Sequence, residues 1–129
     1  ISKINPKIHL VAEVINQKNL IHFKRANVSE TIISSQFESK VMMRCALYKG
    51  ISKVIKELLT NSYGNEIYEV TVNKKFLGKT YEKIAIEFFK KGATLIGIYR
   101  DDKVLLNPKR NIIIKENDSL IYIAENKIF

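Results

Sequence analysis

The side chains that could carry out catalysis are few, and they lie far apart in the sequence. The only histidines are His9 and His22, and the only cysteine is Cys45. A hydrolase or transferase needs a nucleophile, a base and a group that orients the base, and no such set occurs at a suggestive spacing. The sequence therefore predicts no catalytic residues, and we expect a protein that is not an enzyme. The lone cysteine also excludes an internal disulfide, which is typical of a reducing compartment.

No glycine-rich loop that would hold a phosphate group occurs in the sequence. The string Gly78-Lys79-Thr80 resembles the end of a P-loop, but the glycine required five positions before Gly78 is absent, because that position holds Asn73. Glu13 ends a predicted strand, where α/β folds place ligand-binding groups, so it is a candidate contact for a cation or a nucleotide. No second acid lies beside Glu13, and we expect no metal site.

Basic residues outnumber acidic ones, with 22 Lys and Arg against 13 Asp and Glu and a net charge of +9. This balance favours an anionic partner: nucleic acid, a phosphate-bearing ligand or the inner face of a membrane. The lysines are scattered, however, as on a solvated surface. The sequence contains neither a signal peptide nor the run of about 18 apolar residues that a membrane helix needs. Because the chain starts at Ile1 and not at methionine, we expect a fragment or a processed chain.

The first 35 residues predict a β-α-β unit of the doubly wound type. An apolar run at 8–12 ends at Glu13 and is typical of a buried strand in a parallel sheet. Asn16 is a suitable cap for the following helix, and the basic pair at 24–25 suits the negative end of the helix dipole. Asn27 is expected to end this helix in a left-handed conformation, before a second strand at 30–33.

Residues 36–63 predict two helices joined near Gly50. Apolar residues follow a helical period on both sides of this glycine, and a polar cluster at 61–65 is expected to form a loop. The two helices carry more apolar surface than one small domain covers, so we expect a homodimer through them. The predicted dimer interface comprises Phe37, Val41, Tyr48, Ile51, Ile55, Leu58 and Leu59.

Residues 64–129 predict a small α+β module, which completes a fold class of α/β followed by α+β. A strand is predicted at 67–72, and Gly78 and Thr80 precede a helix that ends at Gly92. Further strands are predicted at 94–100, 104–106, 112–114 and 120–124, with turns at 101–102, 107–108 and 116–117.

Several strings in this sequence resemble the regulator-of-conductance-of-potassium (RCK) family, the cytoplasmic domains of potassium channels and of Trk and Ktr uptake systems. Residues 5–14 look like its fifth Rossmann strand, and residues 24–33 look like its turn into the sixth. Residues 76–84 and 92–100 are similar to the Leu-x-Gly-x-(Ser/Thr) and Gly-x-x-(Ile/Val)-x-x-Ile-x-Arg patterns of its C-terminal subdomain, which is also called TrkA-C-like. Residues 107–108 and 117–123 are similar to the proline and the Gly-Asp-x-Leu pattern that follow.

The chain departs from the family pattern at three positions. Asn27 and Asn117 stand where the family usually has glycine, and asparagine is the next residue to tolerate a positive φ. Some calcium-gated members have a second acid two residues after the strand-end Glu, and here that position is Ile15. The resemblance therefore does not carry a calcium site onto Glu13.

The resemblance implies three parts: the end of a Rossmann-like subdomain at 1–35, a helix-turn-helix dimerisation linker at 36–63 and a ligand-sensing subdomain at 64–129. It implies regulation of a potassium channel on the cytoplasmic face of the inner membrane, with a pore-forming domain elsewhere in the full protein. Homodimers or larger gating rings are the expected assemblies. Regulation of a potassium uptake system or of a cation antiporter is an alternative that these residues cannot separate from a channel.

The resemblance also implies a ligand site in the last subdomain. Members of the family respond to divalent cations, nucleotides or cyclic dinucleotides, and the sequence does not choose among these ligands. By resemblance to members that bind cyclic dinucleotides, the expected ligand residues are Ile98, Arg100, Asn107, Pro108 and Arg110. A basic nucleic-acid-binding module is a further alternative, but the second helix of the pair carries only Lys53 and Lys56 as basic residues, so we expect no nucleic acid partner.

Overall fold

The computed structural model describes residues 8–60 and 64–129, so the predictions for residues 5–7 and for the loop at 61–63 lie outside the described residues. The fold is mixed α/β, as predicted. In chain order its helices and strands are β1 (Val11–Glu13), α1 (Leu20–Arg25), β2 (Glu30–Ile32), α2 (Ser34–Leu47), α3 (Ile51–Leu59), β3 (Glu66–Thr71), α4 (Tyr81–Phe89), β4 (Thr94–Arg100), β5 (Lys103–Leu106) and β6 (Ser119–Ala124).

The chain divides into two compact units, the first ending at Ser52 and the second running from Lys53 to Phe129. This division falls inside α3. It lies between the two boundaries expected from the sequence, at 35–36 and 63–64, and the three-part division stays a prediction.

The first unit contains the predicted β-α-β arrangement. β1 and β2 are parallel, with Val11 opposite Glu30. The Asn16 side chain accepts a hydrogen bond from the N–H of Lys18 at 3.0 Å and caps a short 3₁₀ turn that leads into α1. Asn27, just after α1, has a φ of 53°, which confirms the left-handed end of this helix.

The first predicted strand is shorter and less buried than its apolar run suggests. It was expected to begin at residue 8, but β1 begins at Val11, which is 53% exposed. The fully buried residue in this segment is Val14, after the strand. A continuous apolar run predicts a strand covered on both faces, whereas the sheet described in this unit has only two strands.

The helices α2 and α3 flank Gly50, as predicted. Tyr48 does not extend the first helix, because its backbone is extended at φ −135° and ψ 110°. Neither helix contains a buried residue. No helix in the described ranges is both long and apolar enough to cross a membrane.

The second unit is built on an antiparallel sheet in the order β3-β6-β4-β5. Alternate residues of the central strands point into the core, as Leu120, Tyr122 and Ala124 do on β6. The helix α4 packs on this face and buries Tyr81, Ile84 and Phe88. The remaining buried apolar residues of this core are Phe76, Ala93, Leu95, Ile98 and Ile114.

Local signals place α4 where the sequence predicts it. The hydroxyl of Thr80 accepts a hydrogen bond from the N–H of Lys83 at 3.4 Å and so caps the first turn. Gly92 follows the helix with a φ of 77°. The hydroxyl of Tyr81 donates to the carbonyl oxygen of Leu95 at 2.9 Å, which joins the start of α4 to β4.

The strand predicted at 112–114 is wrong, since this segment makes only an isolated bridge between Ile113 and Thr80. Its backbone instead bonds to the segment before and at the start of α4. The N–H of Gly78 donates to the carbonyl of Ile114 at 3.0 Å, and the N–H of Tyr81 donates to the carbonyl of Ile112 at 2.8 Å. An apolar run predicts a strand even where the segment that lies beside it in the fold is not a strand, as is the case here.

The turns of the second unit lie where the sequence predicts them, at 101–102, 107–108 and 116–117. The turn at 116–117 is closed by the N–H of Asp118, which donates to the carbonyl oxygen of Lys115 at 3.2 Å. Asp101 and Asp102 both have a positive φ, 50° and 57°, as a tight hairpin between β4 and β5 requires. Asn107 also has a positive φ, 45°. Asn117 is absent from the positive-φ residues of the described ranges, so the glycine-like conformation considered for it is not adopted.

Candidate functional site

A groove of about 470 Å³ lies between α4 and the loop that follows β5. This volume falls within the range of small-molecule sites, roughly 300–1,000 Å³. Apolar side chains form most of its surface, and polar groups lie on both sides. The lining residues are Tyr81, Glu82, Ala85, Ile86, Phe89, Ala93, Thr94, Leu95, Asn107, Pro108 and Arg110.

Three of the five predicted ligand residues line this groove, namely Asn107, Pro108 and Arg110. Their positions follow from the end of β5 at Leu106. The chain turns at Asn107, whose N–H donates to the carbonyl oxygen of Ile96 at 2.9 Å. This bond fixes the start of the loop against β4, so the three residues lie along one side of the groove.

The charged groups of the groove are Arg110 and Glu82. The Nη1 atom of Arg110 lies 3.8 Å from the Oε1 atom of Glu82, and the two side chains are 86% and 53% exposed. An exposed pair at this distance contributes little stability, so the guanidinium is available to an anionic ligand. The amide of Asn107 offers both donors and an acceptor. The groove therefore suits a ligand with an apolar body and an anionic group.

The other two predicted ligand residues, Ile98 and Arg100, do not line the groove. Ile98 is fully buried in the core. The Nε and Nη2 atoms of Arg100 donate to the two carboxylate oxygens of Asp118, each at 2.6 Å, and Nη2 also donates to the carbonyl of Ile113 at 2.9 Å. Because this guanidinium already has several acceptors, its role in ligand binding stays a prediction.

Asp118 is a buried acid that the sequence reasoning did not assign. Its carboxylate also accepts the N–H of Lys115 at 2.7 Å. Burial acts to raise the pKa of this carboxyl, but the hydrogen bonds from Arg100 and Lys115 outweigh burial, and the pKa of Asp118 lies below its usual value. The signal that could have identified it is the Gly-Asp-x-Leu pattern, whose acid falls at this position.

Glu13 lies at the carboxyl end of β1, as predicted. Its carboxylate accepts a hydrogen bond from the hydroxyl of Ser34, the first residue of α2. Within residues 8–60 and 64–129, no group of three or more His, Cys, Asp or Glu side chains could hold a metal ion. A cation or nucleotide contact at Glu13 stays a prediction, and the described geometry adds no support to it.

The residues of the predicted dimer interface are incompletely covered. Those that are exposed are Phe37, Tyr48 and Leu59, and those that are partly buried are Val41, Ile51, Ile55 and Leu58. The predicted interface leaves out further exposed apolar residues of these helices, namely Met42, Met43, Leu47 and Val54.

Comparison with known proteins gives one family and several relatives. The model of a family described as Castor and Pollux, part of voltage-gated ion channel, matches residues 35–128. The probable ion channel POLLUX of Arabidopsis thaliana is 25% identical over 122 residues, which is 93% of this chain and 15% of that protein. The calcium-gated potassium channel TvoK of Thermoplasma volcanium is 23% identical over 127 residues, 98% of this chain and 36% of that protein.

The fold is similar to that of the human SLO3 gating ring. The TM-score is 0.74 at 17% identity, over 98% of this chain and 28% of that chain. The predicted resemblance to the RCK domains of potassium channels is thereby confirmed at the level of fold. In each of these comparisons the chain spans well under half of the length of the protein that it matches.

Proposed function

Because the chain belongs to the Castor and Pollux family, described as part of voltage-gated ion channel, we propose that it is a regulatory, ligand-sensing domain of a potassium channel. The observation that carries this proposal is the fold, which follows the human SLO3 gating ring over 98% of the chain. The relative TvoK, by name a calcium-gated potassium channel, supports potassium as the transported ion. In this proposal the chain is not an enzyme, and it lies on the cytoplasmic face of the membrane, joined to a pore-forming domain.

Regulation would work through two arrangements of paired domains. A ligand that binds one arrangement more tightly shifts the equilibrium toward it, and the change in geometry acts on the pore. The groove of the second unit is suited to the first step, because a ligand in it touches both α4 and the loop at 107–110. Binding there would change the spacing of these two elements.

The ligand that best fits the groove is a small anion with a planar or apolar body. Its apolar part would contact Ile86, Phe89 and Pro108, and its anionic group would pair with Arg110. Nucleotides and cyclic dinucleotides have this chemistry. Divalent cations do not fit the groove, and would require a site elsewhere in the full protein.

Calorimetric titration of the chain tests the ligand class. We expect saturable binding of a nucleotide or a cyclic dinucleotide, and an Arg110→Ala variant that binds about tenfold or more weakly because a charge-assisted hydrogen bond is lost. Lys103→Ala is the matched control, since Lys103 is an exposed cation that does not line the groove. Equal affinity of the two variants would show that the groove is not the site.

Potassium flux tests the function. The full-length protein that contains this chain is reconstituted in liposomes, and flux is measured with and without the ligand found by calorimetry. We expect ligand-dependent flux whose midpoint moves to higher ligand concentration in Arg110→Ala. Flux that is absent, or that does not respond to any of these ligands, would contradict the proposed function.

We also propose that the chain forms a homodimer through α2 and α3. The support comes from each helix separately: α2 exposes Phe37, and α3 exposes Leu59. Sedimentation of the chain at tens of micromolar should show a dimer that Leu58→Asp dissociates. Lys56→Asp, the same substitution on a solvated position of α3, should leave the dimer intact. A monomeric wild type, or equal effects of the two variants, would contradict this interface.

A further inference from the structure

The loop that follows β5, residues 107–113, is fixed to β4 at both of its ends, and we call it the groove loop. At the near end the N–H of Asn107 donates to a carbonyl oxygen of β4 at 2.9 Å. At the far end the carbonyl oxygen of Ile113 accepts a hydrogen bond from Nη2 of Arg100, also at 2.9 Å. Arg110 lies midway between these two ends. The position of its guanidinium at the groove therefore depends on both attachments.

The groove loop is also joined to the start of α4. The carbonyl oxygens of Arg110 and Ile112 accept hydrogen bonds from the N–H groups of Glu82 and Tyr81, at 3.1 and 2.8 Å. These donors belong to the first turn of the helix, where N–H groups have no partner within the helix itself. A displacement of the groove loop would thus change both sides of the groove, because α4 forms the other side.

The guanidinium of Arg100 is a rigid attachment for the far end of this loop. Its Nε and Nη2 atoms donate to the two carboxylate oxygens of Asp118, each at 2.6 Å. The carboxylate of Asp118 is held in turn by the N–H of Lys115 at 2.7 Å. The side chains of Arg100 and Asp118 are 19% and 0% exposed, so water competes little for these bonds. A bidentate pair fixes the plane of the guanidinium, and with it the direction of the bond to Ile113.

We propose that Arg100 is a positioning residue for the groove: it fixes the far end of the groove loop, and thereby the place of Arg110, without touching the ligand. This inference rests on the function proposed above, in which Arg110 pairs with the anionic group of the ligand. Charge-assisted hydrogen bonds are short and directional, so a displaced guanidinium forms them poorly. Loss of Arg100 would therefore weaken binding at a groove that Arg100 itself does not line.

Direct contact with the ligand, which is the role expected for Arg100 from the sequence, makes a different prediction. A residue that acts through Arg110 has little effect once Arg110 is removed, whereas a residue that binds the ligand itself adds its own loss of affinity. A double-mutant cycle that combines substitutions of Arg100 and Arg110 therefore separates the two roles.

The probe for this cycle is AMP, which has a planar base and one anionic group, and its affinity is measured by NMR titration of the complete chain. The first variant is Arg100→Met with Asp118→Leu, which removes the attachment but leaves no buried charge without a partner. We expect it to bind AMP roughly tenfold more weakly than the wild type does, and to add little to the loss caused by Arg110→Ala. The second variant is Arg100→Lys, whose single ammonium keeps the charge beside Asp118 but not the planar fork, so it should fold and lose part of the affinity.

Hydrogen exchange of the chain without ligand tests the attachment by itself. The N–H groups of Glu82 and Ile112 should exchange at least about tenfold faster in the Arg100 variants, because both take part in hydrogen bonds of the groove loop. The amides of β6, which lies between β3 and β4 in the sheet, serve as the reference for any global loss of stability. Arg110→Ala is the matched control, since it removes an exposed guanidinium and should leave the exchange rates unchanged.

Three results would overturn the positioning role of Arg100. Exchange at Glu82 and Ile112 that rises no more than exchange in β6 would show that Arg100 does not fix the loop. Arg100 variants that bind AMP as tightly as the wild type, or losses that add to that of Arg110→Ala, would show that Arg100 does not act through Arg110. Faster exchange in chains of which none binds AMP would support the attachment by Arg100 and would instead contradict the proposed ligand class.

Discussion

The guanidinium of Arg100 lies against the fully buried carboxylate of Asp118, and this pair joins the end of β4 to the segment before β6. Removing one member leaves a buried charge without its partner. We therefore expect Arg100→Ala to lower the free energy of unfolding by about 3–5 kcal/mol, measured by urea denaturation. Arg110→Ala removes an exposed guanidinium and should change the same free energy by less than about 0.5 kcal/mol.

A double variant separates the charge from the packing at this site. Arg100→Met with Asp118→Leu removes both charges and keeps apolar volume, so it should be more stable than Arg100→Ala alone. If the double variant is no more stable than the single one, the pair is not what holds these segments together.

The same pair predicts how stability depends on pH. The ordinary pKa of an aspartate is 3.8, and the pKa of Asp118 is lower in the folded chain, since the bonds from Arg100 and Lys115 outweigh the effect of burial. The pKa of Glu87 is also lowered, chiefly by the ammonium of Lys79.

A carboxyl group whose pKa is lowered in the folded chain stabilises the fold at pH values above its ordinary pKa. This contribution is lost as the pH falls through the pKa that the group has in the folded chain. Thermal unfolding should therefore show a decline in stability that begins near pH 4, and Asp118→Asn should make that decline shallower. An identical pH profile in the variant would refute the assignment.

At the scale of elements, the end of α4 depends on one backbone conformation. Gly92 has a φ of 77°, and a Cβ atom at this position would meet no heavy atom within 4 Å, so only the backbone opposes a side chain here. We expect Gly92→Ala to destabilise the chain by about 1 kcal/mol, because an L-residue resists this conformation.

Gly92→Asn is the matched control for this turn. Asparagine adopts positive φ more readily than alanine, as Asn27 does at the end of α1, so its cost should be clearly smaller. Equal costs for the two variants, measured by chemical denaturation, would mean that a contact and not the backbone angle decides the effect.

At the scale of the whole molecule, the net charge of +9 predicts how the chain binds nucleic acid. Scattered lysines release counterions from any duplex, so binding should be weak, independent of sequence and steeply reduced by salt. Fluorescence anisotropy with two unrelated duplexes, from low to physiological salt, measures this. Saturable binding of one duplex over the other at physiological salt would contradict our expectation that nucleic acid is not a specific partner.

The sequence by itself determined the helix ends, strand faces and turns, because these features depend on residues that are close together in the chain. The cap at Thr80 and the glycine at Gly92 delimit α4, and the alternation at 120–124 identifies β6 with its buried face. The hairpin turn at 101–102 follows in the same way, since two aspartates between apolar runs are a local signal. The RCK resemblance also belongs here, because its strings are short and contiguous.

Only the tertiary structure decided which distant residues meet. Arg100 was expected among the ligand residues, yet its partner is Asp118, and no periodicity or capping rule relates residues 18 positions apart. The segment 112–114 is apolar enough for a strand, but its carbonyl oxygens accept hydrogen bonds from the N–H groups of Gly78 and Tyr81, before and at the start of α4. The groove exists because the turn at Asn107 brings Arg110 opposite Glu82. Propensity and capping act over a few residues, whereas ion pairs, grooves and strand neighbours depend on chain segments that become adjacent only when the domain folds.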